Sequence, residues 1–121
     1  MIMGLFIALS AAAVITLVCL TFKFILDKVR ERITANRKHT PTLIDTEPVL
    51  KKGAMESAKN GEVLSLDEIE RVCESRPFAL VSYDEETEKI YDVEAYNPDQ
   101  LDSKLRSELD KNDGILMFEG D

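Results

Sequence analysis

The chain is 121 residues long, 45% apolar and free of tryptophan, with a net charge of −8, one histidine and two cysteines. That length leaves room for one small domain beside a hydrophobic segment. A single histidine excludes a histidine-rich metal site and a paired-histidine acid–base device, and cysteines without CxxC spacing give no sign of a disulfide framework.

Met1 to Phe22 contains no charged side chain. As one helix, Ile2 to Phe22 would measure ~30 Å, the hydrocarbon thickness of a bilayer. No basic residue precedes the run, as a cleaved signal peptide would require, and Thr16, Leu17 and Val18 before Cys19 do not fit a lipoprotein site. The reading is therefore an uncleaved single-pass transmembrane anchor over residues 1–26. Gly4, Ala8 and Ala12 recur at four-residue steps and suggest a face for helix self-association. Cys19 in this run, like Cys73 further on, reads as apolar filler.

Charge changes abruptly after the anchor. From Lys23 to His39 six basic residues (Lys23, Lys28, Arg30, Arg32, Arg37, Lys38) face two acidic ones. Basic residues near a span stay on the cytoplasmic side, which puts the N-terminus outside and the rest of the chain in the cytoplasm. Phe22, Leu26, Val29 and Ile33 make one helical face, so residues 27–39 read as a basic juxtamembrane helix whose cations meet lipid headgroups. Residues 40–61 read as a linker, because Thr40-Pro41, Glu47-Pro48, Lys51-Lys52-Gly53 and Asn60-Gly61 all break regular structure. His39 reads as a solvated linker residue.

Residues 62–121 read as an acidic cytoplasmic α+β domain. Glu62 to Leu64 is a short extended piece. Ser65 and Glu68 form a capping box before a helix with Leu66, Ile69, Val72 and Cys73 on one face, ended by Arg76-Pro77. Phe78 to Tyr83 is a strand, Asp84 to Glu88 a turn, and Lys89 to Tyr96 a second strand. Its alternation puts Tyr91, Val93 and Ala95 on one face and Asp92 and Glu94 on the other, leaving Ile90 and Tyr96 out of step. Asn97, Pro98 and Gln100 look like the start of a helix buried through Leu101, Leu105 and Leu109 and closed by Asn112-Asp113-Gly114. Ile115 to Phe118 is a last apolar strand. The order β-α-β-β-α-β is that of a ferredoxin-like sandwich, two helices on one face of an antiparallel sheet. Without its first strand the domain is α-β-β-α-β and needs a partner to complete its sheet.

No P-loop, GxGxxG, HExxH, GxSxG or cysteine–histidine arrangement is present. The sequence therefore implies no enzyme, no catalytic residues, no cofactor and no metal ligands. From Thr40 to Asp121 nine basic residues stand against twenty-one acidic, which opposes nucleic-acid binding. The expected role is a membrane-anchored adaptor, regulatory or small-subunit protein. Its partners would be membrane lipid and a protein bound by the acidic domain, with homo-oligomers an option. Three other readings are an acidic nucleic-acid mimic that inhibits a basic protein, a metal-dependent enzyme using Glu86, Glu88 and Asp92, and self-assembly through the anchor.

Overall fold

The computed structural model describes residues 2–59, 61 and 65–119. The apolar opening divides into two elements. Helix α1 covers Ile2–Ala11, and strand β1 covers Val14–Leu20. Leu and Ala before the break favour helix, while Val14, Ile15, Thr16 and Val18 are β-branched and favour strand. Arg76 fixes the corner between them. Its Nε and Nη2 donate to the Ala12 carbonyl at 3.2 and 3.1 Å, and Nη2 also donates to the Ser10 carbonyl at 3.3 Å. A helix of ten residues is about 15 Å long, half a bilayer core.

Among the described residues no helix is long and apolar enough to cross a membrane. This corrects the expected anchor over residues 1–26, and with it the outside N-terminus and the membrane-tethered, cytoplasmic tail. The physical reason is that hydropathy reports how dry a segment's surroundings are, not what dries them. A helix and strand buried in one protein give the same uncharged run as a lipid-embedded helix.

Helix α2, Phe22–Ala35, follows a cap in which the Thr21 hydroxyl accepts from the Phe24 N–H at 3.1 Å. Strand β2 (Thr40–Asp45) and helix α3 (Thr46–Lys59) occupy the stretch expected to be linker. Both prolines sit where regular structure tolerates them. Pro41 is near the start of β2, outside its ladder with the last strand, and Pro48 is in the first turn of α3. Helix α4 (Leu66–Ser75), strand β3 (Phe78–Asp84), strand β4 (Lys89–Leu101), helix α5 (Ser103–Lys111) and strand β5 (Ile115–Met117) complete the chain. The extended piece expected over residues 62–64 lies outside the described residues.

The strands form one mixed sheet in the order β1-β4-β3-β2-β5, with β1 parallel to β4 and the other pairs antiparallel. One face packs Leu43, Phe78, Leu80 and Tyr96 against Ile25 and Val29 of α2 and Leu105 and Leu109 of α5. The opposite face packs Ile44, Ala79 and Val81 against Leu5 and Leu9 of α1, Leu50 of α3, and Ile69 and Cys73 of α4. Strand periodicity explains the division, since neighbours along β2 and β3 point to opposite faces. The chain is thus a small α+β domain with a five-stranded sheet between two helical layers. This corrects the ferredoxin-like sandwich: α4 and α5 lie on opposite faces. From Leu66 onward the chain builds no separate sheet either, because β2 intervenes between β3 and β5.

Two details of β4 differ from the periodic reading. The register with β3 shifts by one residue between Leu80 and Ser82, and Asp92, at the shift, has φ +53°. This β-bulge brings Ile90 to the α1 side with Val93, and leaves Glu94 and Tyr96 facing α2. Residues Asn97 to Leu101 remain in β4 because they pair with Thr16 to Leu20 of β1. The cap of α5 is Asp102, which accepts from the Lys104 N–H at 2.9 Å and reaches the Phe22 N–H at 3.3 Å.

Candidate interaction edge

The six cations expected to line a membrane surface differ in their surroundings. Lys23 and Arg30 both pair with Asp27 along the exposed side of α2, each at 3.4 Å. Lys28 and Arg32 instead turn toward the sheet. Lys28 Nζ lies 3.9 Å from Glu94 Oε1, and Arg32 Nη1 donates to the Ser82 hydroxyl at 3.1 Å. Arg37 and Lys38 are exposed in the loop after α2, and Arg37 lines an open cavity of about 450 Å³ with Thr34, His39 and Glu119.

Of the small residues expected to mediate helix association, Gly4 and Ala8 lie on α1, but Ala12 lies beyond its end. A Cβ built at Gly4 would meet nothing within 4 Å, so no backbone approaches closely there. The packing face of α1 is Leu5 and Leu9.

His39 is not a freely solvated linker residue. Its ring stacks on Tyr91 with centroids 4.8 Å apart and an interplanar angle of 1°, and its Nε2 is 3.9 Å from Asp84 Oδ2. Burial alone would raise the Asp84 pKa. Hydrogen bonds from the Thr87 side chain and from the backbone N–H groups of Glu86 and Thr87, with the His39 charge, outweigh it and hold the carboxyl below its usual range. Nearby, the Tyr96 hydroxyl donates to the Glu94 carboxylate, and Phe24 meets the Tyr96 ring edge-on at 5.5 Å. These contacts fasten α2 to β3 and β4. Glu86 and Glu88 are exposed at the hairpin tip, and among the described residues no group of three or more His, Cys, Asp or Glu is placed to hold a metal. Both cysteines are free, and burial pushes the Cys73 thiol up, away from the reactive thiolate.

The feature that stands apart is the sheet's β1 edge. No family model matches the chain, and neither a curated protein nor a solved structure gives a significant match, so the edge is read on its own geometry. β1 pairs with β4 on one side and meets no strand on the other among the described residues. Its seven residues, Val14 to Leu20, carry no charge and no proline, and their register with β4 is uninterrupted. Ile15 and Leu17 pack toward α2, while Thr16 and Val18 point outward and Val18 is 77% exposed. A shallow cavity of about 270 Å³ follows this outer face, lined by Thr16, Leu17, Val18, Asn97 and Asp99.

Natural sheets usually protect such an edge with a charge, a proline, a bulge or a short strand. The opposite edge shows two of these protections: β5 has three residues and is bordered by Asp113 and Glu119. Sequence reasoning missed β1 because it counted the apolar run as a whole. Thr16 is the one polar residue of the strand, and a single such residue does not separate a half-exposed strand from a buried helix.

Proposed function

We propose that the chain is a non-catalytic association domain, an adaptor, regulatory or small-subunit protein, that binds a protein partner by strand addition at β1. The observation that carries this reading is the seven-residue, uncharged and unprotected edge. Its free backbone groups supply main-chain hydrogen bonds to an added strand, and exposed Val18 and Thr16 supply side-chain contacts. Among the described residues, the acidic remainder of the chain supplies no edge of this kind. Its charges act on the approach of a partner rather than on the pairing itself.

A photo-crosslinking side chain placed at Val18 tests the proposal, with one at exposed Glu74 of α4 as the control. The expected result is a protein adduct from position 18 that is absent from position 74. Equal labelling from both positions, or none from position 18, overturns strand addition at β1.

A further inference from the structure

We infer that the cavity between the end of α2, the start of β2 and the residues after β5 binds a small zwitterion with an apolar body, the chemistry of a free apolar amino acid. The site does not rest on strand addition at β1, because β2 and β5 lie at the other end of the sheet.

The cavity, of about 450 Å³, falls in the size range of small-molecule sites. Ile33 and Phe118 give it an apolar wall, and both pack against the core between α2, α5 and the sheet. The Phe118 N–H donates to the Pro41 carbonyl at 2.9 Å, which holds the residues after β5 against β2. His39, also in the lining, is fixed by its stack on Tyr91.

The polar groups of the lining are of two kinds. Arg37 can only donate, and its planar fork matches a carboxylate. Glu119, when ionised, can only accept. Thr34 joins it as an acceptor, because its hydroxyl already donates to the Arg30 carbonyl at 2.9 Å and its oxygen has only lone pairs left to offer. Among the described residues, Arg37 and Glu119 form no ion pair with each other or with any other group. In the cavity at Asp45 and Asp110, by contrast, Arg106 already pairs with both carboxylates, at 2.7 and 3.3 Å. A simple anion in the cavity beside Arg37 would be opposed by Glu119, and a simple cation by Arg37. A molecule that carries a carboxylate and an ammonium complements both.

Titration of the full chain with L-leucine, read by amide chemical shifts, tests this. Shifts are expected at Thr34, Arg37, His39, Thr40 and Glu119. Isocaproate is leucine without its ammonium, and isoamylamine is leucine without its carboxylate. Each should bind about tenfold more weakly or worse, since each loses hydrogen bonds to a charged group. Arg37→Gln should weaken leucine by a similar factor. Glu119→Gln should weaken leucine but bind isocaproate at least as well as the native chain does. Both side chains are exposed, and unchanged circular dichroism will show that the fold is retained.

Isocaproate binding as tightly as leucine would reveal an anion site alone and overturn the zwitterion. No shifts at these residues with leucine up to its solubility, or shifts that both variants leave unaltered, would overturn the site itself.

Discussion

Tyr96 has its ring fully buried and its hydroxyl donating to Glu94. Burial first, and then the hydrogen bond to and charge of Glu94, raise its pKa far above the ordinary value of 10.0. The unfolded chain releases the same proton near pH 10. Above that pH the unfolded state has lost a proton that the native state keeps, so this contribution is complete below pH ~10 and declines as pH rises further. Urea midpoints measured from pH ~8 to ~11 should therefore fall more steeply for the native chain than for Tyr96→Phe. Equal slopes would show that the buried hydroxyl is not what titrates. Gly114 makes a steric prediction at the same scale. Its φ is +83°, and a Cβ there would lie 3.3 Å from Asp45 Cβ, Pro48 Cγ and Val49 Cγ2. Its N–H donates to the Leu109 carbonyl at 2.7 Å, and its own carbonyl accepts from the Asp45 N–H at 2.8 Å. Gly114→Ala should cost about 1–3 kcal/mol in urea unfolding, since strain and close contact act together. A loss within error would mean that the turn relaxes freely.

The β4 bulge shows how one residue redirects an element. Asp92 at φ +53° takes up the extra residue, so Ile90 and Val93 reach the same core although their spacing is odd. Asp92→Val should destabilise by about 1–2 kcal/mol, because a β-branched residue resists the left-handed region, whereas Asp92→Gly should match or exceed the native stability. Tolerance of valine at native stability would mean that the bulge moves. Elements of this kind mark the limits of reading the chain by period. Helix α4 was legible because Ser65 and Glu68 announce its start, and Ser65 Oγ does accept from the Glu68 N–H. The hairpin of β3 and β4 was legible from its polar turn. The bulge left only a broken alternation at Ile90 and Tyr96, which no local rule resolves. Asn97 and Pro98 imitated a helix start, and only the long-range pairing with β1 shows that β4 continues. β2 was hidden by Pro41, whose tolerance depends on strand partners far away in sequence, and α3 by Pro48, which reads as a break although the first turn of a helix accepts proline. The candidate edge was the least legible part, because burial on one face and exposure on the other cannot be told apart inside an uninterrupted apolar run.

For the whole molecule, the opening segment forms one wall of a core. Leu9 is completely buried with Ile44, Leu50, Ile69, Cys73, Ala79 and Val81, which come from four other elements. A helix detached from the domain could lose a methylene cluster without changing how tightly the remainder folds. Here the remainder depends on it, because removing α1 would bare one side of the sheet. Leu9→Ala should therefore cost about 2–5 kcal/mol, the range for large-to-small changes in closed cores. That is a large share of the ~5–15 kcal/mol available to a domain of this size. Ile7 is the matched control, apolar and on the same helix but 60% exposed, and Ile7→Ala should stay within about 0.5 kcal/mol. Urea unfolding followed by circular dichroism or tyrosine fluorescence reads both, since the chain has no tryptophan. If the two variants unfold alike, α1 does not close the second core and the sheet has only one dry face. If they separate as expected, the apolar composition of α1 is explained by the core beneath it, which it closes against β2, β3, α3 and α4.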